Sequence, residues 1–408
     1  MQRAHSLPRQ HRYDHKNDRD GPALSSQKIP DKVYRTLCRL RPDTKLSFSQ
    51  RSPHHGIWAG RYAKYCKATN LAQYVKLGGL SSDIAHDLMR GIVTIKGPFR
   101  KDCMTEAEAK GPVDDFIAGF YFRGDDTMLS KIKELKERVK DVNLRRQPYH
   151  MFRMVQLLDV KTPKSFPELS PTTLEALYVK NKGLGGGSYA FARLVVNRLA
   201  TEILKQKKIS DVAVLCLLRL WAQPKNSARK NVMSVGQAWV YSGSYGLLSH
   251  REAAPRVTDT TRKYSDFFKL LSRWAHQQFR KKFPGKKELV FTSICINKNY
   301  NAAPHVDVGN YGPSAIIALG DFKGGQLQLW PGKKKTKQVC TVDIRNKLLL
   351  FNGNHLHSAK PFSGKDRYSV VFFTVKKYDK SAPSDVKFIR STFDCWPSKK
   401  ALEGMEAA

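Results

Sequence analysis

Residues 289–319 read LVFTSICINKNYNAAPHVDVGNYGPSAIIAL, and residues 338–375 read QVCTVDIRNKLLLFNGNHLHSAKPFSGKDRYSVVFFTV. Short runs rich in Val, Ile, Leu and Phe recur between clusters of Gly, Pro, Asn and Asp. They cover Leu289–Ile296, Ser314–Leu319, Gln326–Trp330, Gln338–Val342, Lys347–Phe351 and Tyr368–Val375. This composition and spacing predict β-strands. Two shorter segments, around Val306–Val308 and Leu356–Ala359, bring the expected count to about eight, which suggests a double-sheet jelly roll.

The same stretch carries the residues with chemistry. His305 and Asp307 are two apart, so on a strand both would point one way and could reach one ion. Pro304 and Gly309 flank the pair and place it at a strand end. A third ligand must come from another strand. His357, 50 residues beyond Asp307, is the candidate, with His355 as its rival. Two imidazoles and a carboxylate on one face of a metal, with open positions opposite, is the arrangement of non-haem Fe(II) oxygenases. Arg367 follows ten residues after His357. Its planar guanidinium suits a carboxylate ligand, and the plainer reading is a surface cation near Asp366. Gly324-Gly325 reads as a hairpin turn rather than as backbone approaching the site.

Taken together, HVD, GDFKGGQLQLW and LLLFNGNHLHSAKPFSGKDRYSVVFF resemble the double-stranded β-helix core of the 2-oxoglutarate- and Fe(II)-dependent dioxygenases. The GNxxH-then-PFxGxRYS ending is most similar to the TET/JBP-like branch. The resemblance spans Leu289–Val375 well and Val232–Lys287 loosely. It implies that His305, Asp307 and His357 hold Fe(II), His357 being preferred because the family's spacing from Gly353 and Asn354 ends on it. It implies that Arg367 pairs with the distal carboxylate of 2-oxoglutarate, with Ser369 two along on the same face. Asn297 and Tyr300 are further candidates for the co-substrate pocket, and Asn310 and Tyr311 for the substrate mouth. The implied reaction consumes O2 and 2-oxoglutarate and hydroxylates a C–H bond.

The chain has 408 residues, with 72 Lys+Arg against 35 Asp+Glu, a formal charge of +37. Such an excess predicts attraction to a polyanion, most economically nucleic acid. Seven scattered cysteines without a Cys-x-x-Cys argue against a zinc module or a disulfide framework, and fit a reducing compartment. No apolar run is long enough to span a membrane. The expected location is intracellular, the nucleus favoured, and not secreted.

An α+β organisation follows. Residues 1–30 read as a disordered basic arm without a signal-peptide core. Residues 31–150 are a basic region of uncertain structure. There, Ser81-Ser82-Asp83 could cap a helix, His54-His55 lacks metal-ligand spacing, and Tyr62, Tyr65 and Tyr74 could stack on bases or pack a core. Met128–Val142 reads as an amphipathic helix. Residues 151–230 form a helical support region in which Gly183–Ser188 looks like a flexible linker. Ser210-Asp211 caps a helix over Val212–Trp221. Residues 231–380 hold the β domain, with Gln237–Tyr241 as an extra edge strand and Tyr264–Phe279 as a bracing helix. Lys225–Lys230 reads as a basic connector, Lys333–Lys335 as a hairpin tip, and 381–408 as a tail that no pattern places.

The expected activity is an Fe(II)/2-oxoglutarate-dependent dioxygenase acting on a nucleic-acid base. Two rivals are a protein side-chain hydroxylase of the same superfamily and a catalytically inactive nucleic-acid-binding protein. Prolyl hydroxylases typically carry Lys where Arg367 stands.

Overall fold

Alternation along two strands sets the architecture. In Ser293–Lys298, Ile294 and Ile296 face one way, Cys295 and Asn297 the other. In Tyr368–Phe373, Val370 and Phe372 oppose Ser369 and Val371. A strand with one wholly apolar face and one mixed face must be covered by helices on the first and something else on the second. The computed structural model describes residues 29–49, 57–233, 238–249, 253–286 and 288–406. The chain is a mixture of helices and antiparallel sheet.

The core strands are β1 (Val240–Leu248), β2 (Ser293–Lys298), β3 (Ser314–Leu319), β4 (Phe322–Gly324), β5 (Leu327–Leu329), β6 (Cys340–Val342), β7 (Leu349–Phe351), β8 (His357–Ala359), β9 (Phe362–Gly364) and β10 (Tyr368–Phe373). The large sheet runs β7-β3-β10-β2-β1, with Lys225–Asn226 beyond β1 and Arg256–Val257 paired to its far end. The smaller layer contains β6-β5-β8 and the β9–β4 pair. The chain therefore crosses between layers: β3 in the large sheet, β4 to β6 in the small layer, β7 back, β8 and β9 across, β10 back. Ile316, Ala318, Leu349, Phe351 and Val371 of the large sheet meet Phe322, Leu327, Leu329 and Phe362 between the layers.

The outer face of the large sheet carries helices α1 (Ser188–Ile203), α2 (Asp211–Leu220), α3 (Ser265–Lys282) and α4 (Pro383–Phe393). Phe191, Leu194, Val195, Leu199 and Ile203 of α1 are all buried. Ser210 caps α2, its Oγ accepting from Ala213 N–H at 3.1 Å. Phe267, Leu271 and Trp274 of α3 are fully buried; Phe267 stacks on Trp221, and Phe268 lies 4.6 Å from the Tyr245 ring of β1. Each such aromatic contributes roughly 2–3 kcal/mol of burial. Trp274 Nε1 and Gln278 Nε2 both donate to Asp211 Oδ1, at 2.8 and 2.7 Å, which locks α3 to the start of α2.

Several expectations need correction. Val306–Val308 forms no strand; an isolated bridge between His305 and His357 stands there, and the chain then turns. Leu289–Phe291 lies outside the ladder because Phe291 packs on Phe393 of α4 and Val290 N–H meets Met405 Sδ. The extra strand is β1, and it is internal rather than an edge. Gly183–Ser188 is a tight helix–helix turn, closed by Asn181 Nδ2 donating to Gly186 O at 2.7 Å. At Ser81–Met89 the N-cap is Leu80 and no side chain caps it; Asp83 pairs with Arg61 instead. Asp126–Arg138 is the amphipathic helix, capped by Asp125. The C-terminal stretch is structural: Ile389, Phe393, Cys395, Leu402 and Met405 join the helix-side core.

Buried residues from Tyr34 to Phe120 form a second, smaller core with Trp239, while Phe122 to Leu144 join the helix-side core; Tyr62, Tyr65 and Tyr74 are buried in the smaller one and unable to stack on bases. Residues 1–28, His54-His55 and Gln237 lie outside the described residues. Among the described residues no helix is long and apolar enough to cross a membrane.

Candidate metal centre

Between the two layers lies a cavity of ≈ 120 Å³, lined by Arg229, Ser244, Cys295, Asn297, Tyr300, His305, Asp307, His357, Arg367 and Ser369 among others. At one end, one ligand atom from each of His305, Asp307 and His357 falls within 4.8 Å of the others. His305 Nε2 is 3.6 Å from Asp307 Oδ1, and His357 Nε2 is 3.8 Å from Asp307 Oδ2. His355 is not in this group; it is half-buried in the preceding turn.

Backbone dictates this convergence. His305 and His357 exchange both main-chain bonds, at 2.9 and 3.0 Å, so the rings stand side by side with centroids 4.2 Å apart. Each Nδ1 sits against a carbonyl two residues back: Ala303 O at 2.7 Å for His305, His355 O at 2.9 Å for His357. A carbonyl only accepts, so both Nδ1 atoms carry a proton and both Nε2 atoms face Asp307. Burial, with His357 alongside, pushes His305 down to about 4, so it is neutral near pH 7. Asp307 N–H donates to Gly353 O at 2.8 Å, and Asn310 Nδ2 donates to Asp307 Oδ2 at 3.2 Å. Asn310 therefore orients the carboxylate, and it also lines the cavity. Asn354 Nδ2 in turn donates to Asn310 O at 3.3 Å, so the Gly-Asn pair before His357 holds the loop that carries Asp307. Tyr311 is exposed, as is Val308 at 73%.

The other end is built around Arg367, only 3% exposed. Its neighbour Asp366 turns outward to Arg219 of α2, Nε to Oδ2 at 2.6 Å. The acid that a surface reading would give to Arg367 is thus already taken. Arg367 lies between the Phe322 and Phe362 rings, its guanidinium carbon 5.5 and 5.6 Å from their centroids. Nη2 donates to Gly325 O at 2.9 Å, while Nε is buried with no partner. Burial lowers this guanidinium to about 10. Gly325 is no mere hairpin turn: its φ is +69°, and a Cβ there would stand 2.7 Å from Arg367 Nε. Backbone approach to the site, the less favoured expectation, is what the structure has.

Ser369 and Asn297 stand on adjacent strands, with Asn297 Nδ2 donating to Ser369 Oγ at 3.2 Å. Ser242 Oγ and Tyr300 OH both donate to Asn297 Oδ1, at 2.7 and 3.2 Å. Burial raises the Tyr300 phenol to about 12, which keeps it a donor. The pattern in the sequence missed Arg229. It sits in what reads as a basic connector, yet its Nη1 donates to Ser242 Oγ at 3.1 Å and Cys295 Sγ at 3.4 Å beside the cavity. Burial works against its charge, but Cys295, Tyr300 and Asp307 raise its pKa on balance. Nothing in the run Lys225–Lys230 distinguishes it from exposed Lys230.

No family model and no curated protein matches the chain. Among solved structures it is similar to NgTET1 in complex with 5mC DNA, at 18% identity and TM-score 0.28, over 37% of this chain and 69% of that one. It is similar to a 2OG-Fe(II) oxygenase family oxidoreductase from Burkholderia pseudomallei, at 16% identity and TM-score 0.27, over 37% and 72%. It is also similar to a prolyl hydroxylase from Trichoplax adhaerens in complex with a peptide fragment, at 16% identity and TM-score 0.24, over 63% and 97%. Scores this low describe partial likeness, and the cavity's own side chains carry any functional assignment.

Proposed function

We propose that this chain is an Fe(II)/2-oxoglutarate-dependent dioxygenase built on a double-stranded β-helix, with residues 231–380 as its catalytic domain. The observation that carries the proposal is one cavity holding both a two-His, one-Asp cluster and a buried arginine without an acidic partner. The donor set fits ferrous iron: two imidazoles and a carboxylate, with space on the cavity side for other ligands. His305, Asp307 and His357 would hold the ion, and Ala303 O, His355 O and Asn310 orient them. Bound there, iron with O2 and 2-oxoglutarate would supply the oxidising chemistry that converts a C–H bond to C–OH.

The chain's own part is to bind and orient. Arg367 would grip the distal carboxylate of 2-oxoglutarate, its unpartnered Nε and the remaining N–H groups providing charge-assisted donors. Ser369 accepts from Asn297, which leaves its own proton to donate to the same carboxylate. Arg229 would face the ligand's other, metal-proximal anionic end. Two guanidiniums lining one small cavity fit a dianion better than a monoanion. The apolar wall of Ile316, Leu327, Phe351 and Val371 keeps water from competing for these bonds.

For the substrate we infer a nucleic-acid base. The net charge of +37 supports this, as do exposed Val308 and Tyr311 beside the metal cluster. Exposed Lys333, Lys334, Lys335 and Lys337 lie at the tip between β5 and β6, and exposed Lys376 and Lys377 lie across from Val308. Cations tracking a backbone next to an apolar or aromatic ledge suit a single strand or a flipped base. Anaerobic loading with Fe(II) and 2-oxoglutarate, then admission of O2 with DNA, RNA or peptide pools, tests both levels. Succinate with an oxidised oligonucleotide is the expected product. Succinate with an oxidised peptide would replace the substrate assignment, and failure to take up Fe(II) would remove the enzyme assignment.

A further inference from the structure

The small N-terminal lobe carries a pair of thiols that the cavity does not use. Cys38 ends the helix Asp31–Leu37, and Cys103 lies in the irregular chain after the strand Val93–Ile95. Main-chain bonds hold these segments opposite each other. Arg100 N–H donates to Arg39 O and Met104 N–H to Cys38 O, both at 2.7 Å, beside the antiparallel bridge Leu40–Phe99. The two Sγ atoms are 2.9 Å apart, whereas a covalent S–S bond measures about 2.05 Å. Bonding therefore requires side-chain movement of under roughly 1 Å and no change of register. Gly124 makes the room: a Cβ there would stand 2.2 Å from Cys38 Sγ, and its carbonyl lies 3.6 Å from Cys103 Sγ. Cys38 is fully buried and Cys103 half-buried, so solvent oxidants reach Cys103 first.

We propose that Cys38 and Cys103 form a reversible disulfide under hydrogen peroxide, and that this bond clamps the small lobe around its own core. In the first step the Cys103 thiolate attacks peroxide; the O–O bond breaks, Cys103 becomes the sulfenic acid and, with one proton taken up, water leaves. In the second, the Cys38 sulfur attacks Cys103 Sγ; the S–S bond forms, the S–O bond breaks, and the Cys38 proton leaves in a second water. Two thiols and one peroxide thus give one disulfide and two waters. Burial, with Cys103 next to it, raises the Cys38 thiol well above its ordinary value, which shields it from direct oxidation; its part as the resolving thiol rests on its 2.9 Å approach to Cys103 Sγ.

The ring so closed encloses the Leu46–Phe48 and Val93–Ile95 strands and three helices. It also tethers a segment that reaches the cavity wall: Tyr241 OH donates to Glu106 O at 3.0 Å, and Tyr241 precedes Ser242, the partner of Arg229.

The test is a non-reducing peptide map of the full chain after graded hydrogen peroxide, with free thiols alkylated. Exposed Cys340 serves as the internal standard. The expected product joins the Cys38 and Cys103 peptides, at about 2 Da below their sum, at peroxide doses no higher than those that modify Cys340. Dithiothreitol should reverse it. The oxidised form should melt on the order of 5 °C higher, a gain missing from Cys103→Ser. Cys103 over-oxidised with Cys38 still alkylatable, or both thiols untouched when Cys340 is consumed, would overturn the proposed site. A cross-link without a rise in Tm would overturn the clamp.

Discussion

The two faces of the large sheet are made by the same strands and obey different rules. On the helix side, Tyr245, Leu247, Ile294, Ile296, Ile317, Val370 and Phe372 pack against α1, α3 and α4, and the half-buried cation near them, Arg219, has its acid in Asp366. On the cavity side, Ser244, Cys295, Asn297, Ser369 and Arg367 line open space, and Arg367 keeps an unpaired buried N–H. The satisfied Asp366 and the unsatisfied Arg367 are consecutive residues. The unpartnered N–H of Arg367 is the donor that the proposed co-substrate would engage. The helix face should respond to mutation through stability, the cavity face through binding.

The largest effect expected on the cavity side is from His305→Ala or Asp307→Ala. Each should abolish Fe(II) uptake and succinate formation, with the far-ultraviolet CD spectrum and Tm close to those of the parent. A substantial loss of Tm would place these residues with the structural face instead. On the helix side, Trp274→Ala should cost about 3–5 kcal/mol in denaturant unfolding, through the cavity left and the lost bond to Asp211. Asp366→Ala should cost about 3 kcal/mol, because it leaves Arg219 partly buried without its partner.

Arg367→Met sharpens the contrast. It should weaken 2-oxoglutarate binding roughly 100-fold by calorimetry, while Tm holds or rises, since an unpartnered buried cation is removed. Arg229→Ala should weaken the same binding by about tenfold. An Arg367→Met protein that unfolds easily yet binds the co-substrate normally would erase the distinction between the faces.

The smallest effect is in pH. Burial raises the Asp366 carboxyl, but its bonds to Arg219 and to Asp321 N–H outweigh that and hold it below the usual aspartate value. A carboxyl depressed in the folded state stabilises fully above its unfolded pKa of about 3.9. That contribution fades as pH falls through the lower folded value. Tm plotted from pH ~5 downward should fall less steeply in Asp366→Asn than in the parent, relative to each protein's own plateau.

Much of the site was legible as spacing. His305 and Asp307 stand two apart; the choice of His357 over His355 came from the family resemblance, and in the structure the Gly353-Asn354 turn before His357 also holds the Asp307 loop. The apolar stripes of α1 and α3 were legible for the same local reason: period 3.6 survives without knowledge of neighbours. Arg229 was not, since a buried arginine and a solvated one share the same sequence context. Gly325 was not, since a glycine doublet serves a hairpin and a close approach to a guanidinium equally well. The internal place of β1 was hidden because its partners, β2 and Lys225–Asn226, lie on either side of it in space.

Sequence by itself determined which residues could bind a metal, how often the chain turns, and which faces of its helices are apolar, because these depend on side-chain chemistry and short-range period. Tertiary structure alone decided that Asp366 belongs to Arg219 and leaves Arg367 without an acid, that Asn310 steadies Asp307, that Arg229 turns inward, and that Cys38 meets Cys103. Each of these is a pairing between segments far apart in the chain, and a pairing is fixed only when burial makes an unpaired polar group costly.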